Sequence, residues 1–180
     1  MGMLRRLLLP LLAFALLLTV LHRQAAAQGY YAAFGSGTIN YVPSADGLFL
    51  IPQAPRATYD KRIDPHLVKA SRIADTNAFP HTHLRCWQYV KNALLQAGAV
   101  GARPSTSYAC QAGSELTSRY GFVRLPIRDP YRAPIGAVLV YQGGGAGHVE
   151  IRTAHGFASD YRSVWACRYR LIGVYAKISA

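Results

Sequence analysis

The spacing of apolar residues divides this chain into a helical half followed by a strand-rich half. Leu67, Val68, Ile73 and Ala74 form an amphipathic strip opened by Asp64-Pro65, a capping residue and a first-turn proline. They predict a helix ending near Asn77, which Pro80 then breaks. Positions 86, 90, 93, 94 and 97 place Cys, Val, Ala, Leu and Ala on one face. A second helix is therefore expected from about Leu84 or Arg85, stopped by Gly98 and Gly101. A short third helix is expected over Gly113 to Tyr120. Beyond Pro134 the period changes. Ala137 to Tyr141 reads as a buried strand, and His148 to Thr153 as another across the Gly143-Gly144-Gly145 loop. Phe157 to Tyr161, Val164 to Tyr169 and Leu171 to Ile178 read as the remaining strands. Helices first and an antiparallel sheet afterwards predict an α+β domain over residues 59–180.

The preceding residues read differently. Arg5 and Arg6 lead into an apolar stretch from Leu7 to Leu21, and Ala25-Ala26-Ala27 gives a small-residue cleavage pattern before Gln28. That stretch is shorter than the roughly 20 residues that span a bilayer. Residues 1–27 are therefore expected to be a cleaved signal peptide, with an uncleaved anchor as the lesser reading. The mature protein would be secreted or periplasmic, without stable membrane insertion. Residues 28–58, rich in Gly, Ala, Pro, Tyr and Ser, read as a flexible arm. Within it, Thr38–Val42 and Leu48–Ile51 are expected to pair as a small hairpin around Ser44-Ala45-Asp46-Gly47.

Charge narrows the partners. The leader carries three of the 20 Lys and Arg residues and none of the 8 acids, which leaves a mature charge of +9. Scattered arginines suit an anionic polymer such as cell wall, and also simple solubility. Nucleic acid would satisfy the same charge, but export argues against it.

Three cysteines in an exported chain leave one thiol over. A Cys110–Cys167 disulfide would free Cys86, the residue at the predicted helix start. The other two pairings remain open on sequence grounds.

Cys86 carries the chemistry. Aligned peptide dipoles and free N–H groups at a helix N-terminus favour a thiolate. An imidazole beside it takes the thiol proton and later protonates a leaving amine, and a third group fixes the ring. His148, on a predicted strand, and Asp160, twelve residues on, are assigned these roles. An odd-length turn near Ala154 would set the two opposite each other on one sheet face, whereas a two-residue turn at His155-Gly156 would not. Glu150 shares the strand face of His148 and is the alternative orienting acid or a groove residue. His81 and His83 form an H-x-H with no clear further ligands, so they read as loop histidines and no metal or cofactor is expected.

Cys86-Trp87-Gln88-Tyr89-Val90, Pro134 to Tyr141 and Gly147-His148-Val149-Glu150-Ile151 resemble the pattern of CHAP amidohydrolase/peptidase domains and the related NlpC-type cell-wall peptidases. The resemblance covers about residues 80–165. It implies a papain-like arrangement, with a cysteine-bearing helix packed on an antiparallel sheet bearing the histidine. It also implies metal-independent hydrolysis of amide bonds in peptidoglycan. Two positions depart from the pattern: Arg85, where a small or amide residue often precedes the cysteine, and Glu150, where a small residue usually follows the histidine by two. A non-hydrolytic wall-binding protein and an acyltransferase or transglutaminase-like enzyme are the rival functions on the same scaffold.

Overall fold

Asp64 accepts a hydrogen bond from the backbone N–H of His66 and so opens helix α1, Pro65–Asn77, with proline in its first turn. This computed structural model describes residues 40–45 and 47–179. The expected leader and the start of the arm lie outside the described residues. Helix α2 runs over Cys86–Ala97 and ends at Gly98, whose left-handed backbone (φ 81°) lets its N–H reach the carbonyls of Leu94 and Leu95. A 3₁₀ turn, Ala109–Gln111, leads into helix α3, Ala112–Tyr120.

Asn40–Pro43 (β1) and Leu50–Gln53 (β2) form a separate antiparallel pair, with Val42 opposite Ile51. The main sheet has six strands: Val123–Leu125 (β3), Val138–Gln142 (β4), His148–Arg152 (β5), Phe157–Ala158 (β6), Arg162–Ser163 (β7) and Arg170–Ala176 (β8). Their order is β3-β8-β4-β5-β6-β7, and every pairing is antiparallel. Among the described residues the architecture is thus α+β with three α-helices and antiparallel sheets.

Strand alternation separates two cores. Val138, Val140, Val149 and Ile151 pack with Leu67, Ala70, Val90 and Leu94 of α1 and α2. Leu139, Tyr141, Phe157 and Val174 pack with Ile127, Tyr131 and Leu171 in the second cluster. By the β4–β5 register, Leu139 opposes Glu150 and Tyr141 opposes His148, so these four side chains share the second face.

Arg152 continues that face and is fully buried. Its Nη1 donates to the Gly156 carbonyl at 2.7 Å and its Nη2 to the Pro55 carbonyl at 2.6 Å. The guanidinium also lies 4.6 Å from the centre of the Phe157 ring.

The expected strand Val164 to Tyr169 is instead a run of bends, and only Arg162–Ser163 pairs with β6. The Trp165 N–H bonds to Ser163 Oγ, which curls the chain away from a ladder.

Candidate active site

The thiol of Cys86 stands at the first residue of α2, which has no side-chain cap. The first N–H groups of an uncapped helix remain free to bind negative charge. Cys86 and His148 line one cleft of about 540 Å³, together with Arg85, Gln88, Ser107, Tyr161 and Cys167. A larger hollow of about 640 Å³, between Thr58 to Ile63 and Leu125 to Pro134, holds no thiol or imidazole.

His148 begins β5, and its ring is turned toward Glu150, with Nε2 at 3.3 Å from Oε2. Burial disfavours the imidazolium. Hydrogen bonding to Cys86 and Glu150 and the charges of both outweigh that penalty and lift the His148 pKa from 6.5 to about 10.

Glu150 is buried and its oxygens are well used. Tyr141 donates its hydroxyl to Oε1 at 2.6 Å, and the Cys167 N–H reaches the same oxygen at 3.3 Å. Burial, followed by the charge and hydrogen bond of Glu150, raises the Tyr141 pKa well above its usual value. Tyr141 thus stays a donor and fixes the carboxylate that faces the imidazole. The cross-strand register made this partner findable, because Tyr141 sits opposite His148.

Asp160 does something else. Its Oδ2 accepts from Thr82 Oγ1 at 3.0 Å, His83 N–H at 2.6 Å and Arg85 N–H at 3.1 Å, and Ser159 Oγ donates to Oδ1 at 3.1 Å. These bonds hold its pKa below the usual carboxylate range despite burial, which acts to raise it. The expected placement across from His148 is corrected by register. Ile151 pairs with Ala158 and Arg152 with Phe157 around a four-residue connection. The ladder ends there, because Ala158 turns back to pair with Arg162, and it is the Tyr161 ring that lies near His148, with ring centres 6.1 Å apart. Asp160 lies in that turn, with its carboxylate bonded to the loop that delivers Cys86.

The far wall of the cleft is fastened from two helices. Trp87 Nε1 and Lys91 Nζ of α2 donate to the Thr106 carbonyl, at 3.1 and 2.5 Å. Glu115 of α3 accepts from the backbone and hydroxyls of Ser105 and Thr106. Burial of Glu115 opposes its ionisation, yet these bonds bring its pKa down to about 2.

Gly147, just before the histidine, has φ 73°, and a Cβ there would run into the Tyr141 carbonyl and the Cys110 side chain.

All three cysteines are free thiols, so the expected Cys110–Cys167 disulfide is not formed. Their backbones are pinned to different walls: Cys110 N–H bonds the Ala146 carbonyl, and Cys167 N–H bonds Glu150. Burial and the nearby charges of Glu150 and Cys86 push the Cys167 thiol up to about 11, against a backbone hydrogen bond at Tyr169 that lowers it.

His81 and His83 are exposed, and the His83 ring lies tilted against Phe79, with ring centres 4.4 Å apart. Among the described residues, no three of His, Cys, Asp and Glu converge on a site that could hold a metal ion. Nor is any helix there long and apolar enough to cross a membrane.

No family model matches the chain, and no curated protein matches it either. Among solved structures it is similar to a chain of the type VI native effector–immunity complex Tae3–Tai3 from Ralstonia pickettii, at 21% identity and a TM-score of 0.49. The match covers 62% of this chain and 98% of that one. The selenomethionine form of the complex from the same organism matches at 26% identity and a TM-score of 0.43, over 52% of this chain and 80% of that one.

Proposed function

We propose that this protein is a cysteine hydrolase that cleaves amide bonds in peptidoglycan stem peptides outside the cytoplasm. One observation carries the chemistry: an uncapped helix start presents Cys86 to an imidazole whose protonated form is strongly favoured by Cys86 and Glu150 together. An imidazole placed against a thiol in this way can take the thiol proton as the nucleophile forms. The peptidoglycan assignment rests on the sequence resemblance to CHAP and NlpC-type domains.

In the proposed reaction, Nε2–H of His148 points to Glu150, leaving Nδ1 for the thiol. The Cys86 thiolate attacks the amide carbonyl carbon. The N–H groups at the start of α2 stabilise the oxyanion as it forms. The imidazolium then gives its proton to the departing amine nitrogen. A water, deprotonated by neutral His148, hydrolyses the thioester and regenerates the thiol. Glu150 orients the ring, held in turn by Tyr141. Asp160 positions the loop before the nucleophile.

The test is to incubate purified peptidoglycan with wild type and with Cys86→Ser, reading released muropeptides by mass spectrometry. Release by wild type alone is expected. Equal release from both proteins would eliminate the mechanism.

A further inference from the structure

Arg85 occupies an electrostatically poor place. It is the N-cap of α2, where Ser, Thr, Asp or Asn are preferred and where the helix dipole repels a cation. Its backbone N–H is committed to Asp160. Its guanidinium makes no hydrogen bond or ion pair with any of the described residues, yet it lines the cleft that holds Cys86 and His148.

The rest of the lining sharpens the point. Among the described residues that line the cleft, Arg85 is the one permanently charged side chain, and no Asp or Glu is present. The two nearby acids, Asp160 and Glu150, are buried behind the wall with their oxygens engaged. Nothing in the wall neutralises the cation.

The loop is also built to hold this pose. Leu84, adjacent to Arg85, has a left-handed backbone at φ 60°. Such a conformation costs a non-glycine residue about 1 kcal/mol or more. Three hydrogen bonds to Asp160 Oδ2, and one from Leu84 N–H to Thr82 Oγ1, hold the loop in that shape. Leu84 is left 90% exposed on the cleft rim. Local strain maintained by this bond set, with the Leu84 and Arg85 side chains exposed, fits a surface that contacts a ligand.

We infer that Arg85 binds a free carboxylate on the peptide substrate, close to the scissile amide, with Leu84 as an apolar shelf beside it. The substrate class is thereby narrowed to peptides bearing an unblocked acid next to the cleaved bond. This inference rests on the hydrolase reading for its catalytic form but not for its binding form.

The probes are synthetic peptidoglycan stem peptides in which each free carboxylate in turn is converted to the carboxamide. For one position, wild type is expected to favour the acid over the amide by about tenfold in kcat/KM, as a charge-assisted hydrogen bond would give. Arg85→Gln should bring that ratio toward one, and Arg85→Lys should keep part of it. If the cation only favoured the Cys86 thiolate, its loss in Arg85→Gln would lower both rates and leave the ratio alone. The same acid-to-amide ratio is read as calorimetric affinity in the Cys86→Ser protein. A retained affinity ratio without wild-type turnover sinks the hydrolase reading and upholds Arg85. Turnover with no ratio at any position, a ratio unchanged by Arg85→Gln, or no binding of any peptide overturns the inference.

Discussion

Glu150 lies two residues beyond His148 on the same strand face, with its Oε2 at 3.3 Å from the imidazole Nε2. The acid and the base thus come from one β-strand, and their relative position is fixed by the pleat rather than by a turn. Tyr141 on the neighbouring strand holds the carboxylate from the other side.

Glu150→Gln should therefore lower kcat by about 10²-fold, the scale of general acid–base assistance. The pH profile gives the more specific sign. The His148 pKa is raised, so the ion pair persists from 6.5 upward and is lost as pH climbs through about 10. The alkaline limb of kcat/KM is expected near pH 10 in wild type and lower in Glu150→Gln. Stability follows the same direction: the contribution of His148 is complete below its ordinary pKa of 6.5 and fades through about 10. An alkaline limb that does not move in the variant would remove Glu150 from the orienting role.

Asp160→Asn is expected to behave differently. Oδ2 loses its charge as acceptor for Thr82, His83 and Arg85, which should destabilise the fold by about 2 kcal/mol. Turnover should fall because the loop before Cys86 loosens, yet the alkaline limb should stay where wild type has it. Thermal melts and the same pH profile check the pair of outcomes. A limb displaced as far as in Glu150→Gln would make Asp160 the partner of the imidazole instead.

Thiol reactivity separates two of the cysteines. With its pKa up to about 11, Cys167 is almost entirely protonated at neutral pH. It should alkylate about 10²-fold more slowly than an ordinary thiol. Iodoacetamide at pH 7, followed by peptide mass spectrometry, is expected to mark Cys86 well before Cys167. Faster labelling of Cys167 would contradict the burial that keeps its thiol protonated.

Much of this was legible in the residues. Apolar spacing marked out α1 and α2, and Gly98 marked the end of α2. The two-residue period put Glu150 beside His148. What sequence did not settle was register. Thr153 to Gly156 makes an even connection, and a slip of one residue carries a side chain to the opposite face. Asp160 lies beyond the short ladder, in the turn where Ala158 comes back to pair with Arg162, and no local pattern reveals that reversal. The run from Val164 to Tyr169 has strand-forming residues but curls over the cleft, since Cys167 N–H finds its acceptor on Glu150 rather than in a ladder.

The bond from Arg152 to the Pro55 carbonyl bears on where this protein can be cut. A recombinant fragment starting at residue 59 would strand a guanidinium in the interior with one of its anchors deleted, at a cost of about 1–3 kcal/mol. The smallest well-behaved version of the domain should retain Pro55 and the residues that join it to 59, even though no candidate active-site residue lies among them.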